Sequence, residues 1–189
     1  TIDTSKGDVD VTFDNLKIDV SGKGEAAVTV RGGGDATIEL DGDNELKSGG
    51  KNAGLEKNGN ESSGKLTIKD DNDTKGSLTA EGGEDGAGIG GGYESGAGNI
   101  EITGGTVEAV GGEGAAGIGG GVYGIGHDIE ISGGKVSATG GDANENLHSS
   151  RPGAAGIGDG AGTEGVGADT GGEIVPDAPS NPNHIYISG

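Results

Sequence analysis

The chain repeats itself with a period of about 29 residues, and this repeat restricts its fold more than any other feature. Three segments recur at this spacing, and the pairs are Ala87–Gly92 with Ala116–Gly121, Ile100–Gly105 with Ile129–Gly134, and Val107–Gly112 with Val136–Gly141. A period between about 20 and 50 residues is typical of solenoids, propellers and repeat arrays. The sequence therefore predicts an architecture that is built from stacked units.

Each recurring segment is a short strand with apolar side chains at alternate positions, as at Ile100 and Ile102. This period of two indicates one buried face. Three strands per unit with glycine corners predict an all-β fold, a single parallel β-helix (solenoid) with three short strands per turn. Ile89, Ile118 and Ile157 then stack inward at roughly 4.8 Å. A propeller is the less favoured interpretation, because each of its blades would need four antiparallel strands that are longer than these segments.

The repeat can be followed in both directions if two insertions are allowed. The interval from Leu55 to Ile89 exceeds one repeat, and we assign the five extra residues to the acidic segment 70–73. The interval from Ile118 to Ile157 also exceeds one repeat, which indicates a ten-residue excursion. Insertions of this kind fall at corners and carry the specific features of a repeat protein. The alignment predicts about six turns, and so a rod roughly 30 Å long.

The whole chain, residues 1–189, is expected to be one β-helix domain. Residues 1–30 are interpreted as the N-terminal end turn, where Phe13 helps to close the core. Loop excursions are predicted at 142–153 and 160–184. Since the chain starts with strand-like residues and stops within a strand-like segment, we expect it to be a fragment of a longer extracellular protein.

The charge of the chain excludes several classes of partner. The formal net charge is −20, divided into −6 for residues 1–75 and −14 for the remainder. Nucleic-acid binding needs a basic surface, so it is not expected. The sequence has no apolar run that is long enough to cross a membrane, so membrane insertion is not expected. It also has no cysteine, so thiolate chemistry is not expected. The acidity is explained either by solubility or by binding of divalent cations outside the cell.

The repeating segments resemble the glycine-rich β-helix regions of secreted or cell-wall proteins of Gram-positive bacteria. The similarity rests on Ala116–Gly121 and Ile129–Gly134, preceded by Ala36–Leu40 and Asp43–Leu46. Those regions are similar to a β-helical carbohydrate-binding domain family. The resemblance implies a secreted or cell-wall location, no catalysis, stabilisation by calcium and a fold related to that of pectate lyases. Its motifs indicate a β-helix but do not identify a ligand.

Two acidic clusters are candidate calcium sites. The cluster with the most oxygen ligands contains Asp70, Asp71 and Asp73, and the second contains Asp41 and Asp43. Calcium takes six to eight oxygen ligands from carboxylates, amides and carbonyls. Asp, Asn and Gly are also the usual residues of turns, so solvated turns are the alternative.

Tyr93 and Tyr123 are separated by nearly one repeat. Tyrosines that stack on one face would form a platform for a glycan, since aromatic rings combine an apolar face with a polar group. The alternative is a packing pair over a corner. His127 next to Asp128 is interpreted as a surface histidine.

Two functions that do not involve catalysis remain open. In the first, the chain is an adhesin or carbohydrate-binding module that holds a polysaccharide or a host or cell-surface glycan. In the second, it is a spacer or fibre subunit that stacks end to end with copies of itself, because an end turn presents unpaired N–H and C=O groups. An enzyme similar to a polysaccharide lyase is the least favoured, because Lys135 and Arg151 are the only basic residues after residue 75 and a lyase needs a Lys or Arg base.

Overall fold

The computed structural model describes residues 1–142, 153–162 and 185–187. All regular structure in these ranges is β-strand, and every strand pair is parallel. The strands form three walls, and one strand from each wall makes one turn. No helix in the described ranges is long and apolar enough to cross a bilayer.

The three walls differ in strand length. The first wall consists of β1 Ile2–Asp3, β4 Val28–Arg31, β6 Leu55–Glu56, β9 Ile89–Gly90, β12 Ile118–Gly119 and β15 Ile157–Gly158. The second consists of β2 Val9–Asp14, the first half of β5 Ala36–Lys47, β7 Leu66–Lys69, β10 Ile100–Ile102, β13 Ile129–Ile131 and β16 Ile185–Ile187. The third consists of β3 Lys17–Asp19, the second half of β5, β8 Gly76–Glu81, β11 Thr106–Val110 and β14 Lys135–Thr139. The described strands therefore make five complete turns and two walls of a sixth.

The register confirms the parallel β-helix with three strands per turn. Ile89 pairs with Ile118, and Ile118 pairs with Ile157, on parallel neighbouring strands. Leu55 pairs with Ile89, as the alignment predicts. β7 pairs with β10 at the same long interval as that from Leu55 to Ile89. β8 pairs with β11 at the interval of the main repeat. The five extra residues therefore lie between β7 and β8. The alignment of the sequence with itself thus located the acidic insertion correctly.

The core is a set of aliphatic ladders that run along the rod. Ile38, Ile68 and Ile102 stack on the inner face of the second wall and are completely buried. Phe13 lies in the first turn and is buried against this cluster. Because each ladder is only one side chain wide, small aliphatic residues fill the interior without large aromatic rings.

Glycine is required where the walls turn most tightly. Gly90, Gly119 and Gly158 stack at one corner, each with φ between +131° and +137°. A Cβ on Gly119 would lie 2.0 Å from the carbonyl oxygen of Gly158. An L-residue fits neither this backbone conformation nor this space.

Asp41–Asn44 consists of residues that are typical of turns, but in the structure it is the bend of a strand. β5 continues through these residues, and Gly42 with φ +62° bends it from the second wall into the third. Asn44 is buried inside the bend, where its side chain accepts from the Leu16 amide at 2.8 Å and donates to the Ser77 carbonyl at 2.9 Å. Pairing with both neighbouring turns therefore keeps a segment rich in turn residues in strand conformation.

The two predicted excursions lie mostly outside the described residues. Only 142 and 153 of the first, and 160–162 of the second, belong to the described ranges. On the far side of each excursion the chain returns to the stack, since Ile157 pairs with Ile118 and Ile185 pairs with Ile129.

Candidate functional site

An open groove, whose lining residues are mainly polar, crosses the outer face of the second wall over the first three turns. It has a volume of about 600 Å³ and is lined by Asp10, Val11, Thr12, Thr37, Glu39, Thr67, Lys69 and Asn72. The groove exists because side chains alternate along a strand, so that polar residues between the core residues face outward. The insertion between β7 and β8 contributes Asn72 to the lining.

Two columns of outward side chains form the floor of the groove. The register stacks Asp10 on Thr37 and Thr37 on Thr67 in the first column. In the second column Thr12 stacks on Glu39 and Glu39 on Lys69. Neighbouring strands lie roughly 4.8 Å apart, so each column offers polar groups at regular short steps.

One end of the groove is occupied by internal ion pairs. The Lys69 ammonium lies 2.9 Å from Asp71 Oδ1 and 3.1 Å from Glu39 Oε2. These hydrogen bonds, to Asp71 first and to Glu39 second, raise the pKa of Lys69, and the bond with Lys69 lowers the pKa of Asp71. Next to this cluster, Thr67 donates to Glu101 at 3.3 Å.

The other end of the groove offers unengaged groups. Among the described residues, the side chains of Asp10, Thr12 and Thr37 have no hydrogen-bond or ion-pair partner. Asp10 and Thr12 are exposed, and Thr37 is half-buried. A carboxylate and two hydroxyls are therefore free to bind an external polar molecule.

The structure places the candidate calcium ligands around the insertion, but it gives Asp70 and Asp71 separate partners and leaves Asp73 exposed. Asp70 Oδ2 accepts from the Gly76 amide at 3.2 Å, and Asp71 pairs with Lys69. Asp73 is exposed at the tip of the insertion.

The second candidate cluster is likewise engaged. Asp41 Oδ1 accepts from Asn72 Nδ2 at 2.7 Å, and Asp43 Oδ1 accepts from the Ser77 hydroxyl at 2.9 Å. Within the described ranges, no three acidic or histidine side chains are placed so that they could hold a metal ion. As arranged, these residues do not fit a calcium ion with six to eight oxygen ligands, and calcium binding stays a prediction from the sequence.

The two candidate tyrosines contact each other, but not as a flat platform. The ring centroids of Tyr93 and Tyr123 are 5.8 Å apart and the rings are inclined at 83°. The ammonium of Lys51 lies 3.7 Å from the centroid of Tyr93 and covers one ring face. The register between these two turns makes Tyr123 the counterpart of Glu94, and both have positive φ. The arrangement is a packed pair over a corner, and glycan binding by it stays a prediction.

His127 and Asp128 form an exposed pair outside the groove. Their Nδ1 and Oδ2 atoms are 2.9 Å apart. Asp159 approaches from the next turn, where its Oδ1 accepts from the Gly126 amide at 2.9 Å, and burial raises the pKa of Asp159. Both residues of the pair are more than two-fifths exposed, which agrees with the interpretation of His127 as a surface histidine.

A buried lysine in the third turn is a feature that the sequence did not predict. Lys57 is only 1% exposed, and its ammonium donates to the carbonyls of Gly98 at 2.8 Å and Ser62 at 3.3 Å. Burial lowers the pKa of Lys57 to about 8, and the charge of Asp35 opposes this change. Ser62 is also buried, and its hydroxyl has no partner within the described part of the chain.

The groove was missed as well, although the sequence contained a signal for it. The outward residues of β2, β5 and β7 are mainly Thr, Asp, Glu and Lys, and they become neighbours once Asp10 is aligned with Thr37 and Thr37 with Thr67. The interval from Asp10 to Thr37 and the interval from Thr37 to Thr67 differ from the main period and from each other. A comparison of the sequence with itself at the main period therefore does not align these residues.

Comparison with known proteins bears on the architecture. Searches of curated proteins and of solved structures found no match. Residues 74–93, 100–122 and 129–161 match the model of the β-helix repeat. These segments lie in the third to sixth turns, where the main period is clearest. The chain therefore contains a β-helix repeat region, identified both by this match and by the parallel stacking of its strands.

Proposed function

We propose that the chain is a non-catalytic adhesin or carbohydrate-binding module of a secreted or cell-wall protein, and that its groove binds polysaccharide. The observation that carries the proposal is the open groove with free side chains at Asp10, Thr12 and Thr37. Sugar hydroxyls both donate and accept, and carboxylates and threonine hydroxyls are matching partners. A groove that crosses stacked strands also suits an extended ligand better than a compact one.

The state of Lys69 supports the non-catalytic part of the proposal. Cleavage of an acidic polysaccharide next to a uronate needs a neutral base in the site. Lys69 is the only basic residue in the groove lining, and its contacts with Asp71 and Glu39 raise its pKa. An ammonium that is stabilised in this way is a poor proton acceptor near neutral pH.

The surface location is supported by the resemblance of the glycine-rich repeat to cell-wall β-helix regions and by the strong acidity of the chain. A charge of −20 on a rod with a thin core limits self-association at high local concentration.

A glycan array followed by titration with oligosaccharides tests the proposal. We expect binding by the parent chain and a loss of about three- to tenfold in affinity for the double variant Thr12→Val and Thr37→Val, since each hydroxyl forms one modest hydrogen bond. Valine keeps the β-branched shape and so preserves the strand.

Two further variants locate the binding surface. Thr79→Val makes the same change on the outer face of the third wall, away from the groove, and should leave affinity unchanged. Tyr123→Ala tests the tyrosine pair. Binding that survives the groove variants and disappears with Tyr123→Ala would move the site to the tyrosines, and an array without any ligand would contradict the proposal.

The second candidate, a spacer or fibre subunit, is favoured by the end of the first turn. The inward side chains of this turn are only half-buried at Val9, Val11, Leu16 and Ile18, whereas the corresponding positions of the second to fourth turns are buried. A second copy could cover this apolar end. The groove and the apolar end adjoin, since Val11 belongs to both.

A further inference from the structure

We propose that the groove selects glycans that carry free amino groups, such as chains of 2-amino sugars without N-acetylation. This inference rests on the proposed function and adds the class of ligand to it. It is carried by the contrast between two groups of the groove. Lys69 is paired with Glu39 and Asp71, whereas the carboxylate of Asp10 has no partner among the described residues.

Within the described strands of this wall, acidic glycans find no unpaired cation. Lys69 is shared by Glu39 and Asp71, and the other nearby lysine, Lys65, lies 2.6 Å from Glu101. A uronate or sulfate group would have to break one of these pairs and to approach a chain of net charge −20. Both requirements oppose the binding of a polyanion.

Asp10 offers the complementary contact. Its side chain is exposed in the groove and has no partner among the described residues, whereas the other carboxylate of the lining, Glu39, is paired with Lys69. A sugar ammonium at Asp10 would form a charge-assisted hydrogen bond, which is stronger than a bond between neutral groups.

The surrounding hydroxyls fit the rest of such a sugar. Thr37 stacks directly on Asp10, and Thr12 lies two residues further along β2 on the same outward face. The ammonium of one sugar at Asp10 therefore places its hydroxyl groups within the range of both threonines, since the strands are roughly 4.8 Å apart. N-acetylation removes the charge and adds bulk at the position that faces Asp10.

The test compares three oligosaccharides of equal length at about pH 5.5, where a sugar amine is protonated. They are a glucosamine oligomer, its N-acetylated counterpart and a galacturonate oligomer. We expect the glucosamine oligomer to bind about two- to fivefold more tightly than the N-acetylated one, as is typical of a single exposed ion pair, and the galacturonate oligomer to bind least. The preference should diminish as salt is raised.

Asp10→Asn removes the charge with little change of shape, and we expect it to lower affinity for the glucosamine oligomer to the level of the N-acetylated one. Glu108→Gln is the matched control, because Glu108 is an exposed carboxylate on the third wall with the same formal charge. An equal effect of both variants would show a non-specific attraction of cations to an acidic rod and would overturn the inference. Equal binding of the acetylated and free oligomers would overturn it too but leave the proposed function intact, and the failure of every oligomer to bind would contradict both.

Discussion

Lys57 is a charged residue at a position where the neighbouring turns have small or aliphatic residues. Thr29 in the second turn pairs with Glu56 in the third turn. The residues that follow them, Val30 and Lys57, therefore occupy equivalent positions. A neutral amine has two N–H donors, which match the carbonyls of Ser62 and Gly98. An ammonium has three donors and no acceptor. Burial of the charge, together with the two carbonyl acceptors, therefore favours the neutral form of Lys57.

This preference predicts that stability depends on pH through Lys57. Its pKa is about 8 in the folded chain and about 10.5 in the unfolded chain. Between these values the unfolded state binds the additional proton, so the free energy of unfolding rises with pH; below pH 8 both states are protonated and the penalty for burying the charge is present in full. Relative to the Lys57→Met variant, we expect the parent chain to gain at most about 3 kcal/mol between pH 8 and 10.5.

Denaturant unfolding of both chains across this pH range measures the difference. Methionine fills a similar volume without a titratable group, so the difference between the two profiles isolates Lys57 from the surface lysines. Lys75→Met, at an exposed position of the insertion, is the matched control and should retain the profile of the parent chain. Parallel profiles for parent and Lys57→Met would contradict the prediction.

At the scale of elements, the insertion between β7 and β8 is stabilised by its own polar side chains. Asp70 closes it by accepting from the Gly76 amide, Asn72 ties it to Asp41, and the Thr74 amide donates to Asn72 Oδ1 at 2.6 Å. The acidic residues therefore act as turn and capping groups in this arrangement. Their oxygens do not converge on one point.

We therefore expect Asp70→Ala to lower the free energy of unfolding by about 1 kcal/mol, through loss of the hydrogen bond to the Gly76 amide. Asp73→Ala removes the same charge from the exposed tip of the insertion and should have almost no effect. Thermal melts of both variants and the parent are recorded with added calcium and with chelator. The arrangement in the structure predicts the same melting temperature of the parent in both conditions, whereas the calcium binding predicted from the sequence would give a clear drop with chelator.

The sequence was sufficient to predict the walls, because a strict repeat brings the same residue types into the same environment in every turn. Ile89 and Ile118 could be stacked from spacing alone. β5 could not be predicted as one strand, since the residues of its bend are typical of turns and only pairing with two neighbours makes them a strand.

The groove and the burial of Lys57 depend on tertiary contacts, so the repeat in the sequence does not predict them. Asp10 and Thr37 become neighbours through a register that departs from the main period. Lys57 is buried because the chain folds over it at Ser62 and Gly98, and a lysine in a glycine-rich stretch otherwise predicts a solvated surface.

At the scale of the whole molecule, the rod combines an apolar end with a strongly acidic side surface. The first turn leaves one edge of β2 unpaired among the described strands, and Val11 and Ile18 are only half-buried there. Burial of this end against another copy is favourable, but two chains of net charge −20 repel each other. The balance between the two effects depends on ionic strength, because the Debye length falls from about 30 Å at 0.01 M salt to about 3 Å at 1 M.

We therefore predict that the chain is monomeric at low salt and associates end to end as salt is raised, which sedimentation velocity and negative-stain microscopy can detect. Ile18→Lys places a charge on the apolar end and should prevent association, as inward-pointing lysines do on natural edge strands. Thr79→Lys adds the same charge to the side of the rod, on β8, and should leave association intact. Thermal melts establish that both variants fold. A parent chain that sediments as a monomer at every salt concentration would exclude assembly through this end, whereas association that persists in Ile18→Lys would place the contact elsewhere.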